Sequence, residues 1–151
     1  MIRNLVLAVV FLFAVSHVNA FNIDRDLLRA IENGELARVV DLLDKGADID
    51  KPDIYGFTPL IWATTAGNIE ILNVLIDRGA DVNFTNEDGG TALYYAVTNG
   101  KVDELNILLQ HGANPDVRFM DGETALDYAR VRDWGEFPEI VTILEAAGAK
   151  D

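Results

Sequence analysis

Past the first twenty residues the chain carries one histidine, His111, and it has no cysteine anywhere. That inventory restricts its chemistry. A serine or cysteine nucleophile needs a histidine base beside it, and a zinc site needs several His or Cys ligands. His111 directly precedes Gly112 at the end of a predicted helix, where its charge suits the helix dipole, and that placement accounts for it. Carboxylates are the other candidates, with 25 Asp and Glu in the chain. Asp48, Asp50 and Asp53, or Asn83, Asn86, Glu87 and Asp88, could suggest calcium. No twelve-residue calcium loop with spaced ligands and a closing Glu is present. Asp and Asn at such offsets more readily stabilise turns. The expectation is a protein without catalytic residues, metal or cofactor.

Charge narrows the partners. The chain has 151 residues and a formal net charge of −13. Such acidity repels nucleic acid and anionic membranes, and it favours a basic protein partner or plain solubility. Half of the residues are hydrophobic, which argues for a packed domain rather than disorder. Without cysteines, that domain must be stabilised by packing alone.

The first twenty residues read as a separate object. Met1-Ile2-Arg3-Asn4 is a short basic start, Leu5 to Val15 is an apolar run of 11 residues, and Ser16 to Ala20 is a polar stretch ending in a small residue. Val18 and Ala20 fill the two positions read before a signal-peptidase cut, so residues 1–20 are expected to be a cleavable signal peptide. The run is well short of the ~20 residues that span a bilayer. The corresponding expectation is a periplasmic or secreted protein, free of the membrane after cleavage, with one domain over 21–151.

That domain repeats itself at a step of 33 residues. Gly46, Gly79 and Gly112 fall in one column, and Ala30, Ala63, Ala96 and Ala129 in another. Gly34, Gly67 and Gly100 form a third, Thr58, Thr91 and Thr124 a fourth, and Asp48, Asp81 and Asn114 a fifth. The second copy explains the unit. Thr58-Pro59 is a helix start, because a Thr hydroxyl accepts from free backbone N–H groups and Pro suits the first helical position. Leu60 to Ala66 makes about two turns, Gly67-Asn68 breaks them, and Ile69 to Asp77 makes a second helix closed by Gly79. An Asn-, Asp- and Gly-rich loop, which contains Gly89-Gly90, leads to the next copy. One unit cannot bury both of its helices, whereas stacked units can, and the Ala column lets first helices approach closely.

These residues resemble the ankyrin repeat. The pattern is clearest in Gly56-Phe57-Thr58-Pro59-Leu60, Ala63, Gly67-Asn68-Ile69 and Gly79-Ala80-Asp81-Val82-Asn83, and again in Gly90-Thr91-Ala92-Leu93, Ala96, Gly100 and Gly112-Ala113-Asn114. The resemblance implies an all-α solenoid of helix-turn-helix units with hairpin loops. Its repeats fall at approximately 22–50, 51–83, 84–116 and 117–149, the end copies serving as caps. The family's usual His, two residues after Pro, is replaced by Ile61, Tyr94 and Asp127, so the loop brace such a His provides is altered. The last copy has three extra residues around Arg132 to Pro138, and Trp134 and Phe137 there are expected to cover the last helix pair, the alternative being that they extend the groove. With the leader, the chain is identified as an exported, bacterial-type member of the family.

The resemblance also implies where a partner binds, on the hairpin tips and the inner face of the first helices. By position these are Asp53, Ile54, Tyr55, Phe57, Thr65 and Ala66; Asn86, Glu87, Asp88, Gly90, Thr98 and Asn99; and Phe119, Met120, Asp121, Glu123, Val131 and Arg132. Trp62, Tyr95 and Tyr128, also 33 apart, share that helix face and either anchor a partner or fill gaps between helices. Tyr55, Phe57 and Phe119 stand where packing demands little. An open groove of this kind does not raise a carboxylate's pKa as a catalytic pocket would. The function expected is a monomeric, exported protein-binding module. The alternative is an inhibitor or immunity protein that blocks a toxin or other basic enzyme, and a third is an effector acting on a host.

Overall fold

The computed structural model describes residues 23–119, 121–132 and 137–150. Its helices are α1 (residues 23–32), α2 (Leu36–Asp44), α3 (Pro59–Ala66), α4 (Ile69–Asp77), α5 (Ala92–Thr98), α6 (Val102–Gln110), α7 (Ala125–Arg130) and α8 (Phe137–Ala146). They stack as an all-α solenoid. Helices α3, α5 and α7 pack side by side in one layer, and α2, α4, α6 and α8 in a second. Within each repeat the two helices pack on each other, as α3 does on α4, α5 on α6 and α7 on α8.

The threonine column starts the first helices. The hydroxyl oxygens of Thr58, Thr91 and Thr124 accept from the backbone N–H of Ile61, Tyr94 and Asp127, which satisfies donors that a helix start leaves unpaired. Gly67 ends α3 at φ 73°, a left-handed conformation that a side chain would strain. Asn68 then caps α4 by accepting from the Ile71 N–H. The two layers bury different amounts of surface. Helix α4 buries Ile71, Leu72 and Leu75 on one face. Helix α3 buries Pro59, Leu60, Ile61, Ala63 and Thr64, because neighbours cover it on several sides. Ala30, Ala63, Ala96 and Ala129 are all buried, so the small-residue column lies where first helices meet.

The acidic and amide loop residues have two structural uses. Within a repeat they close turns: Asp48, Asp81 and Asn114 accept from the N–H of Asp50, Asn83 and Asp116. Between repeats they form a ladder. The side chains of Asp50, Asn83 and Asp116, 33 residues apart, accept from the backbone N–H of Asp81, Asn114 and Lys150 at the end of the following repeat, at 2.7–2.9 Å, and within the first repeat Asp24 accepts likewise from Asp48. Each repeat is thereby strapped to the next at the same point, by bonds that the turn reading of these residues did not include.

The end repeats follow the capping logic. Arg25 and Arg29 on α1 are exposed. At the other end Phe137 is buried at the start of α8 and meets the Tyr128 ring. Trp134 and the expected cleavage after Ala20 lie outside the described residues. None of the described helices is long and apolar enough to cross a membrane.

Candidate functional site

The hairpin tips are built by Asx turns. At the second tip one carboxylate oxygen of Asp53 accepts from the N–H of Tyr55 and of Phe57, and the other accepts from the Trp62 indole N–H at 3.0 Å. One repeat later Asn86 takes the same place. Its carbonyl oxygen accepts from the N–H of Asp88 and Gly90, and its amide donates to the Tyr95 hydroxyl at 3.1 Å. In both repeats the tip is tied to the aromatic ring of the helix that follows it. This brace does the work expected of the absent family His. In the fourth repeat the equivalent position is Phe119, which cannot make it. There Asp127, in the His column, forms a capping box with Thr124 instead.

The ties turn the rings inward. Phe57 meets Trp62 edge-on at 5.8 Å and lies 4.8 Å from the Tyr95 ring of the next repeat. Phe119 stacks flat on Tyr94, with centroids 4.5 Å apart and planes 3° apart. Phe57 and Tyr94 pack against the core. Of the three loop rings singled out in the sequence, only Tyr55 stands out into solvent, at 72% exposure, next to Ile54 at 90%.

Ile54 and Tyr55 form one wall of a cleft of about 760 Å³ between the second and third tips. Phe57, Trp62 and Tyr95 line it from the helix side, and Asp53, Asn86, Glu87 and Asp88 from the tips. Pro52, Phe84 and Thr85 also line it. These three were not among the sequence candidates, since they precede the tip motif and only the fold brings them alongside. On its other side Ile54 borders a hollow of about 410 Å³ lined by Asp24, Arg25, Leu28, Lys51, Pro52 and Asp53.

Burial holds the Tyr95 hydroxyl above its ordinary pKa. The hydrogen bond from Asn86 opposes the shift, and the nearby Asp88 charge adds to it. Tyr94 is raised likewise, first by burial and then by the charge of Asp121. The cleft is acidic in its surroundings as well as aromatic in its lining. Among the described residues no cation pairs with Asp53, Glu87 or Asp88.

The remaining candidates lie on or just after the first helices and at the fourth tip. The hydroxyls of Thr65 and Thr98 donate to the backbone carbonyls of Trp62 and Tyr95, which turns them back onto their own helices. Asn99 donates to the Tyr95 carbonyl. Asp121 and Glu123 are exposed at the fourth tip, where Asp121 accepts from the Glu123 N–H. Arg132 lies over the Tyr128 ring, with its guanidinium 4.5 Å from the centroid. Val131 is 78% exposed. Met120 lies outside the described residues. Among the described residues no group of three or more His, Cys, Asp or Glu could hold a metal ion.

Stacked helix pairs, braced tips and an open cleft define a repeat scaffold, suited to binding other proteins. The family model described as "Ankyrin repeats (3 copies)" matches residues 7–86, 27–119 and 78–150, and the chain belongs to the ankyrin-repeat family. It is similar to the 2-5A-dependent ribonuclease of Mus musculus, at 42% identity over 52 residues, covering 34% of this chain and 7% of that protein. It is also similar to "Ankyrin repeat, SAM and basic leucine zipper domain-containing protein 1". The Dasypus novemcinctus form is 39% identical and the Neofelis nebulosa form 37%, each over 46 residues, 30% of this chain and 10% of that protein. The matches span a tenth or less of the length of these curated relatives.

The relatives correct one part of the sequence reading. They are mammalian, so the identification as an exported, bacterial-type protein is overturned, and with it the periplasmic or secreted localisation. The reason is physical. A run of 11 apolar residues fits a buried helix as well as the centre of a leader. The first copy of the family model matches from residue 7, inside that run.

Proposed function

We propose that this chain binds a basic protein partner as a monomer, through its second and third hairpin tips and the adjoining concave face. The observation that carries the reading is the exposed pair Ile54 and Tyr55, set on a braced tip beside an aromatic cleft rimmed by Asp53, Glu87 and Asp88. An exposed Ile–Tyr pair on an ordered turn is unfavourable in water unless something covers it. Aromatic anchors surrounded by polar groups are the usual centre of a protein interface. The net charge of −13 supports a basic partner by speeding encounter.

A peptide-display library panned on the immobilised chain tests this. The enriched peptides are expected to be basic and to lose binding to an Ile54→Ser, Tyr55→Ser variant that melts at the same temperature as the parent. Peptides of neutral composition that bind parent and variant equally would refute both the face and the charge. The finer alternative, an inhibitor of a toxin or other basic enzyme, draws on the same acidity. It additionally requires that the chain stop the activity of an enzyme it binds, which a turnover assay in its presence reads directly.

A further inference from the structure

This inference rests on the basic-partner reading and names the group that the cleft takes. The cleft between the second and third tips offers two attractions to one kind of side chain. Its rings, Phe57, Trp62 and Tyr95, present aromatic surface, and Tyr55 stands at its mouth. Its carboxylates are Asp53, already accepting three N–H bonds, and the exposed Glu87 and Asp88. A guanidinium stacks on ring faces and donates its fork of N–H groups to carboxylates. An ammonium makes only a point contact and stays more strongly hydrated, while a neutral side chain gains little from the carboxylates.

The chain itself shows this helix column holding an arginine. Trp62, Tyr95 and Tyr128 occupy equivalent places in successive repeats. Four residues after Tyr128, Arg132 lies over the Tyr128 ring at 4.5 Å, with the Phe137 ring at 5.7 Å. The matching positions in the second and third repeats are Ala66 and Asn99. Ala66 has no reach, and the Asn99 amide is bonded to the Tyr95 carbonyl at 2.8 Å. The fourth repeat supplies its own cation, and the two repeats that form the cleft do not.

We propose that the cleft takes an arginine side chain of the partner protein, stacked on its rings and hydrogen-bonded to Glu87 and Asp88. The test uses the full chain, labelled with nitrogen-15 and titrated with acetyl-Gly-Arg-Gly-amide. The counterparts carry citrulline, which is neutral and nearly isosteric, or lysine. The arginine peptide is expected to shift the Trp62 indole N–H and the amides of Tyr55, Asp88 and Gly90. The citrulline peptide is expected to bind about tenfold more weakly or worse, and the lysine peptide to fall between. Glu87→Gln with Asp88→Asn is expected to weaken the arginine peptide about three- to tenfold while the thermal melt stays in place.

Equal binding of arginine and citrulline peptides would overturn the proposal, as would shifts confined to residues outside the cleft or no shifts at all. The outcome also separates the two readings. If the tripeptide leaves the cleft undisturbed while library peptides still depend on Ile54 and Tyr55, the arginine assignment is wrong and the binding face stands. If neither binds, both readings fail together.

Discussion

Asp127 occupies the column where the family usually has histidine, and it caps α7 instead. Hydrogen bonds from the Thr124 backbone N–H, first, and from the Thr124 hydroxyl hold its carboxyl below the ordinary aspartate range. A carboxylate whose pKa is lowered by folding stabilises the fold at pH values above its unfolded pKa, near 4, and that contribution is lost as pH falls through the folded value. Asp127→Asn keeps the shape and removes the charge. The variant is expected to be less stable at neutral pH by roughly 0.3–1.5 kcal/mol, the usual range for a helix cap. The gap should close as pH is taken down from about 4, and urea titrations of both proteins across that window measure it. A gap that stays constant with pH would assign the loss to geometry rather than charge.

At the scale of the helix, the alanine column sets how closely repeats approach. Ala96 is fully buried on α5, which packs against both α3 and α7. Ala96→Leu forces two helix contacts apart at once and is expected to destabilise the protein by about 1–3 kcal/mol, read from its urea midpoint. Ala66→Leu, on the same layer but exposed, serves as the control and is expected to change stability by less than about 0.5 kcal/mol. The paired result separates crowding from any general effect of leucine in these helices.

The same column shows why so much of the fold was legible in the chain. Ala30, Ala63, Ala96 and Ala129 recur because one steric demand recurs, and Thr58, Thr91 and Thr124 recur because each first helix needs the same cap. Local demands repeated at one spacing leave a visible period. The candidate site was legible only in part. Phe57 and Phe119 occupy loop positions, but Phe57 turns toward Tyr95 in the next repeat and Phe119 toward Tyr94 in the preceding one. No local pattern records which way a ring turns when its partner belongs to another unit. Tyr55 differs because no ring of the described residues faces it, and Pro52 and Phe84 join the cleft only through the stacking itself.

Across the whole molecule, contacts pass from each repeat to its neighbours. The hydrogen bonds donated by the backbone N–H of Asp81 to Asp50, of Asn114 to Asn83 and of Lys150 to Asp116 follow that rule without a break. A stack joined in this way unfolds as one unit only while its interfaces are stronger than the instability of each repeat. Asp50→Ala combined with Asn83→Ala removes the first two of these three straps and leaves the buried side chains in place. The double variant is expected to lose about 1–3 kcal/mol, with a shallower urea transition as end repeats begin to melt separately. A transition that shifts without changing slope would mean that side-chain packing alone couples the repeats.

The regular placement of these straps also bears on how the protein responds to force. Pulled by its two ends, the stack would not stretch smoothly. It would yield one rung at a time, each rupture freeing roughly 33 residues, or on the order of 110 Å of slack chain. A partner gripping the second and third tips together would clamp the middle rung, so the outer repeats would tear away first and the bound centre would be the last to extend.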